Sequence, residues 1–147
     1  MVFMVKVLYG KKGLGKTKVL VETANKISET AHGSIVFIDD DNDLIYDLDR
    51  KVRFIDVSEF KINNLTLFQG FLCGMISQNY DIENVFIDGL SYIVKQLVAD
   101  MESFFVFLSD FSEKYNTNFY ISINGEEASM PEYIKRYHVD INKVKLI

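Results

Sequence analysis

Residues 2–17 read V-F-M-V-K-V-L-Y-G-K-K-G-L-G-K-T, an apolar run that leads directly into a glycine-rich turn. The turn, residues 10–17, has the spacing G-x-x-x-x-G-K-[ST]. The segment that follows it, residues 17–31, carries its apolar side chains at helical spacing on one stripe. A strand, a glycine-rich turn and a helix in this order predict the first β–α unit of an α/β fold.

The residue types in this turn suit an anion. Gly10, Gly13 and Gly15 let the main chain turn tightly and approach a ligand without a Cβ atom in the way. The N–H groups of such a turn, and of the helix start behind it, point at anionic oxygen. Lys16 adds a mobile cation, and the Thr17 hydroxyl has the right length to ligate Mg²⁺. An ordinary β–α turn has no use for Lys-Thr at this offset. We therefore predict that the following residues bind the phosphates of a nucleoside triphosphate: Gly10, Lys11, Lys12, Gly13, Leu14, Gly15, Lys16 and Thr17.

Length and composition indicate one domain over residues 1–147. The 147 residues, 48% of them hydrophobic, suffice for a single core. The net charge of −5 argues against a broad basic face for nucleic acid. The lysines at 11, 12, 16 and 18 are better explained by nucleotide phosphates. The N-terminal apolar run is too short to span a bilayer and lacks a signal peptide's basic start, so we expect a cytoplasmic protein without membrane insertion.

The cysteine and histidine content argues against a disulfide and a zinc site. Cys73 is the only cysteine and lies in an apolar helical stretch, so we expect a buried thiol. The only histidines are His32 and His138.

Short apolar runs alternate with helical patterns along the chain, which is typical of a mainly parallel five-stranded sheet between helices, in three layers. Strands are predicted at 2–9, 34–38, 52–56, 84–88 and 118–123, with an edge strand at 144–147. Helices are predicted at 17–31, 42–49, 64–79 and 91–115, the last broken near Val98, with a short helix after Pro131. On the helix at 64–79, Gly70 and Gly74 are expected to allow close packing against the sheet.

Asp88 ends the fourth predicted strand, where a carboxylate could hold Mg²⁺ in partnership with Thr17. It lies 71 positions after Thr17 (88 − 17). The alternative is a turn-forming Asp-Gly pair, because Gly89 follows. We assign the metal site to Thr17 and Asp88.

Four carboxylates follow the second predicted strand, at positions 39, 40, 41 and 43. One interpretation is a solvated helix start, in which these groups cap the helix and complement its dipole. The other places Asp39 or Asp41 beside the γ-phosphate, where it orients the attacking water.

Asn124 ends the fifth predicted strand, where it either senses the γ-phosphate or caps a turn. Glu126 and Glu127 follow on a loop and are expected to be solvated, although either is a candidate base. The arginines at 50, 53 and 136 have no local support as charge-stabilising fingers. The candidate catalytic residues are Lys16, Asp39, Asp41 and Asn124.

With these residues the chain resembles the P-loop NTPase superfamily over nearly its whole length. Residues 11–17 are similar to the K-G-G-x-G-K-T loop of the ParA/MinD partitioning ATPases, whose first lysine reaches the nucleotide of a dimer partner, a role that would fall to Lys11. Residues 35–41 are similar to the second strand of that family, which ends in D-x-D. The chain departs from the pattern at Lys12, which replaces a glycine, and at Gly89-Leu90 after Asp88.

Asp88 and Asn124 also resemble the strand ends of RecA-like ATPases and of short proteins labelled PilT-type ATPases. Many such enzymes carry a glutamate directly after the aspartate, and its absence here implies slow hydrolysis. Residues 142–145, N-K-V-K, lack the acid of the N-K-x-D motif that reads guanine.

The resemblance implies a small ATP-binding protein with slow Mg²⁺-dependent ATPase activity, which acts as a nucleotide switch for a protein partner or homodimer, or within a larger assembly. One alternative is an adaptor or sensor that binds nucleotide without hydrolysing it. Another is a small-molecule kinase, which is disfavoured because three scattered arginines do not form a lid.

Overall fold

The computed structural model describes residues 4–142 and has an α/β fold. Five strands, all parallel, form one sheet in the order β1-β5-β4-β2-β3. The strands are β1 (Val5–Gly10), β2 (Ser34–Asp39), β3 (Val52–Asp56), β4 (Ile82–Ile87) and β5 (Asn118–Asn124). The helices are α1 (Lys16–Ser28), α2 (Leu65–Gln78), α3 (Leu90–Val94) and α4 (Glu102–Tyr115). The predicted α/β class and five-stranded parallel sheet are confirmed.

Two apolar clusters cover the two faces of the sheet, which gives the fold three layers. On one face, α1 packs with Leu20 and Ala24 against strand residues such as Phe37 and Phe86. On the other face lie α2, α3 and α4. The fully buried side chains of these helices include Phe68, Leu72, Leu90, Phe105 and Leu108.

A row of aromatic rings crosses the α1 face of the sheet. Phe37, Phe86 and Tyr120 lie opposite one another in the register of β2, β4 and β5. The Phe86 ring stacks on Phe37 with centroids 5.8 Å apart and on Tyr120 with centroids 4.6 Å apart. Such cross-strand ring pairs stabilise neighbouring strands in one register, so the row fixes how the strand ends line up at the sheet edge.

The segment after β2 is not the predicted helix. Residues 43–47 form successive turns, with hydrogen bonds from Ile45 N–H to Asn42 and from Asp47 N–H to Leu44. The Asp41 carboxylate accepts a hydrogen bond from Asp43 N–H, so this side chain competes with helical main-chain bonding.

Asn25, on α1, holds the end of this segment. Its side-chain amide donates to the carbonyl of Asp47 (2.9 Å) and accepts from the N–H of Asp49 (2.7 Å). These two bonds satisfy main-chain groups that a helix would otherwise pair, and they tie the turns to α1.

Three expectations about α2 are wrong. The Cys73 thiol is exposed rather than buried. Gly70 and Gly74 are also exposed, and a Cβ atom added at either would meet nothing within 4 Å. The helix buries Phe68, Leu72 and Ile76, which are spaced four residues apart, and positions 70, 73 and 74 lie on the exposed side of the helix.

The predicted break in the long helical region is confirmed. α3 ends at Val94, because Lys95 adopts a left-handed conformation with φ +53°, and a 3₁₀ turn over Val98–Asp100 precedes α4. The short helix after Pro131 is a 3₁₀ helix over Glu132–Arg136.

The chain returns to β1 after this last 3₁₀ helix. Val7 N–H donates to Tyr137 and Val139 N–H donates to Val7, each at 2.9 Å, along the edge of β1 that does not face β5. The predicted edge strand at 144–147 and the start of the first predicted strand lie outside the described residues. Within residues 4–142, no helix is long and apolar enough to cross a bilayer.

Candidate functional site

A cavity of about 880 Å³ opens at the carboxyl edge of the sheet. Its wall combines residues that end or follow β1, β2, β4 and β5, which the parallel sheet brings to one edge. From the glycine-rich loop (residues 10–17) and the start of α1 come Lys12, Gly13, Gly15, Lys16, Thr17 and Lys18. The other predicted site residues in the wall are Asp39, Asp41, Asp88 and Asn124.

The glycine-rich loop exposes main-chain amides at the start of α1. Gly13 and Gly15 have φ values of +88° and +96°, the left-handed region that favours glycine. Gly15 is the N-cap and no side chain caps the helix there. The first hydrogen bond of the helix runs from Val19 N–H to the Gly15 carbonyl (3.1 Å). The N–H groups of residues 16–18 lie before it and therefore have no helical acceptor.

Lys16 lies beneath this loop with only 5% of its surface exposed. Its Nζ donates hydrogen bonds to the carbonyls of Gly10 (2.8 Å) and Lys11 (2.7 Å). Burial lowers the pKa of Lys16, and the nearby negative charge of Asp88 opposes that shift. The ammonium is thus a buried cation in the wall of the cavity, held by carbonyls that a stronger acceptor could replace.

Thr17 and Asp88 are in direct contact in the cavity wall. The Thr17 hydroxyl donates to the Asp88 carboxylate, at 2.9 Å from Oδ2 and 3.2 Å from Oδ1. Asp88 directly follows β4, and its own N–H donates to Ile38 of β2 (2.9 Å), so main-chain bonding fixes where its carboxylate starts. The two residues that were predicted to share a metal ion are therefore in direct contact.

Ser122, which our sequence analysis did not identify, is buried outside the cavity wall and contacts two wall residues, Asp88 and Gly89. Its hydroxyl donates to Asp88 Oδ1 at 2.5 Å and accepts from Gly89 N–H at 2.8 Å. The available signal was a single hydroxyl between Ile121 and Ile123 in an otherwise apolar stretch of strand. A buried hydroxyl needs a hydrogen-bond partner, and this one has two.

Asp39 and Asp41 differ strongly in environment. Asp39 is 6% exposed, and burial raises the pKa of its carboxyl to about 8, with the charge of Asp88 adding to the rise. The N–H of Asp40 donates to Asp39 Oδ1 (2.7 Å), which opposes this shift. Asp41 is exposed, and its carboxylate is occupied by the Asp43 N–H (3.0 Å). Carboxylate oxygens of Asp39, Asp40 and Asp41 lie within 4.8 Å of one another, but two of these three residues are exposed to water.

The remaining predicted residues lie around the loop. Asn124 is in register with Gly10, whose carbonyl also accepts from Gly125 N–H (3.0 Å). Lys11 is exposed and forms an ion pair with Glu126 (3.5 Å) outside the cavity wall. Leu14 is 49% exposed and its side chain covers Gly10, where an added Cβ would lie 2.6 Å from it.

The residues left out of the wall are also informative. Glu127 begins a 3₁₀ turn, Glu127–Ser129, and is exposed. None of the three arginines, all within the described residues, lines the cavity. Arg53 instead lies at a separate, smaller hollow beside β3.

The donor set of the cavity fits a phosphate chain with a hard cation. Uncapped amides and Lys16 offer positive charge in the cavity wall, and Thr17 and Asp88 offer oxygen ligands in the same wall. Mg²⁺ takes oxygen ligands and keeps several waters, so one hydroxyl and one or two carboxylates suffice on the protein side.

No family model and no curated protein matches this chain. The resemblance to P-loop NTPases therefore depends on the residues and on the arrangement described above.

Proposed function

We propose that this chain binds a nucleoside triphosphate with Mg²⁺ in the cavity at the carboxyl edge of its sheet and hydrolyses it slowly. ATP is the nucleotide that the resemblance implies. The observation that carries the proposal is the contact of Thr17 with Asp88, 71 residues apart, beside a buried lysine and a helix start without a side-chain cap.

The phosphates would lie against the glycine-rich loop. The amides at the start of α1, together with the positive end of the helix dipole, favour an anion there. The Lys16 ammonium would exchange its bonds to the Gly10 and Lys11 carbonyls for phosphate oxygens, which are stronger acceptors because they carry charge. Lys16 would then stabilise the negative charge that develops during phosphoryl transfer.

Mg²⁺ would be held by the Thr17 hydroxyl and by Asp88, directly or through water. When bound, the ion would supply positive charge that offsets the negative charge of the phosphates. The Thr17 hydroxyl has lone pairs for the ion and one proton, which already points at the Asp88 carboxylate.

Of the two carboxylates predicted to orient water, the geometry favours Asp39. It is buried in the cavity wall beside Asp88, whereas Asp41 is exposed and bonded to its own turn. A carboxyl whose pKa lies near neutral pH is suited to exchanging a proton with an attacking water.

The segment after β5 is the candidate switch surface. Gly125 N–H and the Lys11–Glu126 ion pair both connect this segment to the glycine-rich loop. When Lys16 leaves the carbonyls of Gly10 and Lys11, both connections would be perturbed, and a partner could read the change.

Binding is tested by isothermal calorimetry with Mg-ATP on the wild type and on Lys16→Ala and Thr17→Ala. We expect each variant to bind at least about tenfold more weakly, because each removes a charged or metal-binding contact. Lys26→Ala is the matched control, since Lys26 is an exposed lysine in the last turn of the same helix. Equal affinity in the wild type and both loop variants would remove the proposal.

Turnover is tested by phosphate release. We expect Asp88→Ala to abolish it, and Asp39→Asn to reduce it by at least about tenfold, as loss of a water-positioning group does. Asp41→Asn is the control and should release phosphate like the wild type. A larger loss in Asp41→Asn than in Asp39→Asn would reverse the assignment of the two carboxylates.

A second function, nucleotide binding without hydrolysis, is favoured by one specific observation. The residue after Asp88 is Gly89, the N-cap of α3 with φ +72°, so no carboxylate follows the proposed metal-binding aspartate. Tight Mg-ATP binding with no phosphate release above background, with and without partner proteins, would select this adaptor or sensor function.

A further inference from the structure

We propose that Ser122 is a positioning residue for Mg²⁺: it holds one oxygen of the Asp88 carboxylate so that the other oxygen and the Thr17 hydroxyl face the ion. This inference rests on the function proposed above. It adds a residue of β5 to a metal site that the sequence pattern builds from Thr17, after β1, and Asp88, after β4.

The hydrogen bonds of Ser122 fix the direction in which its hydroxyl points. A serine hydroxyl has one proton to donate and lone pairs that accept. Gly89 N–H can only donate, so at 2.8 Å it occupies a lone pair of Ser122 Oγ. The hydroxyl proton is therefore directed to Asp88 Oδ1, 2.5 Å away.

This arrangement assigns different roles to the two oxygens of Asp88. Oδ1 accepts the hydrogen bond from Ser122 and makes the longer contact with Thr17 (3.2 Å), while Oδ2 makes the shorter contact with Thr17 (2.9 Å). Because a carboxylate is planar, fixing Oδ1 also fixes the direction of Oδ2. The oxygen nearer to Thr17 is thereby presented to the cavity without having to be ordered when the ion binds.

The strand order explains why a third strand is needed. β5 lies between β1 and β4 and pairs with both, so Thr17 and Asp88 reach each other across the end of an intervening strand. Ser122 is 2% exposed and directly follows Ile121, the last residue of β5 that pairs with β4. Its neighbours Ile121 and Ile123 are fully buried and apolar, so the hydroxyl is the one group there that can contact Asp88.

A purely structural role is the competing explanation, because a buried hydroxyl bond also stabilises the fold. The chain contains a matched control for that role. Ser112 on α4 is 1% exposed, and its hydroxyl donates to the Thr117 carbonyl at 2.6 Å. It belongs to the same class of buried serine. Neither serine is in the cavity wall, but Ser122 is hydrogen-bonded to the wall residue Asp88, whereas the Thr117 partner of Ser112 lies outside the wall.

The test is the gain in nucleotide affinity that Mg²⁺ provides. The Kd of a fluorescent ATP analogue is measured with saturating Mg²⁺ and with EDTA, and the ratio of the EDTA value to the Mg²⁺ value is compared among variants. We expect Ser122→Ala to lower this ratio by about 10–100-fold, the usual effect of removing a group that orients a metal ligand. Its Kd in EDTA should match the wild type, which also reports an intact phosphate site.

The controls separate the hydroxyl's role from folding. Ser112→Ala should keep the wild-type ratio, even if its melting temperature falls as much as that of Ser122→Ala. Ser122→Thr retains the donor and should keep most of the ratio, since a β-branched residue suits a strand.

Three results would overturn the inference. They are an unchanged ratio in Ser122→Ala, an equal loss of affinity with and without Mg²⁺, and a loss in Ser112→Ala as large as in Ser122→Ala. Failure of the proposed function looks different, because the wild type itself would then bind no nucleotide in either buffer.

Discussion

Asp39 should make the metal-free protein less stable as the pH rises, and Asp39→Asn should remove that dependence. The carboxyl is 6% exposed, and burial raises its pKa to about 8 from an ordinary value of 3.8, with the charges of Asp88 and Asp41 adding to the rise. The amide introduced by Asp39→Asn would keep a side-chain oxygen that can accept from Asp40 N–H, so the substitution removes the charge and leaves that hydrogen bond possible.

The sign follows from proton binding. Between a pH of about 4 and about 8, the folded state holds a proton on Asp39 that the unfolded state has already released. Folding stability therefore falls as the pH rises through this window and levels off above the folded pKa. The asparagine variant has no such proton, so its advantage over the wild type grows through the same window.

The magnitude is bounded by the size of the shift. One pKa unit corresponds to about 1.36 kcal/mol, but the carboxyl lines a cavity that is open to solvent, so we expect an advantage of roughly 1–3 kcal/mol near pH 8. Near pH 5 the advantage should be well under half as large, because the folded carboxyl is neutral and the unfolded one has released its proton over only about one unit.

The assay is denaturant unfolding in EDTA near pH 5 and near pH 8. Asp41→Asn is the matched control, because Asp41 is exposed and its stability effect should stay within about 0.5 kcal/mol at both pH values. An Asp39→Asn variant that is no more stable than the wild type near pH 8, or equally stabilised at both pH values, would refute the reasoning. The same variant is expected to lose phosphate release, since functional sites often retain groups that cost stability.

Two further predictions concern backbone conformation and exposure. Gly15→Ala should destabilise the fold by about 1–2 kcal/mol through backbone strain at φ +96°, although an added Cβ meets nothing within 4 Å. Gly70→Ala, at an exposed position of α2, should stabilise the fold by about 0.5–1 kcal/mol. Denaturant unfolding of both variants measures these changes, and equal effects would contradict the backbone argument. Cys73 should react with a thiol reagent in the native protein at nearly the rate seen in denaturant, because its side chain is exposed; strong protection in the native state would contradict the orientation of α2.

The sheet was predictable because each strand is a short apolar run whose composition differs from its surroundings. β2, β4 and β5 carry buried residues on both faces, as strands covered by helices on both sides must, and such runs are recognised without knowing their neighbours. The break before α4 was also predictable, although the left-handed Lys95 that ends α3 has no special residue type to announce it.

Predictions failed in two places. In one, hydrogen bonds from a residue distant in the sequence replace helical main-chain bonds; in the other, the buried face of a helix had been assigned from composition. The segment after β2 has the acids of a helix start, but Asn25, on α1, captures its main-chain groups through two hydrogen bonds. α2 carries no charged residue, so its outward and inward faces look alike in the sequence. Only packing against the sheet selects Phe68, Leu72 and Ile76 and leaves Cys73 outside.

The site itself was half predictable, and strand order explains the other half. The sequence pattern identifies Thr17 because it ends the glycine-rich motif, and Asp88 because it ends an apolar run. The pattern contains no information on which strand lies between the two residues. In the structure that strand is β5, and the residue of β5 at the level of Asp88 is decided by register rather than by any local preference. Shifting β5 by one residue would place Ile121 or Ile123 at the carboxylate and remove the Ser122 hydroxyl from Asp88 Oδ1. The aromatic row that fixes this register therefore also fixes the geometry of the candidate metal site.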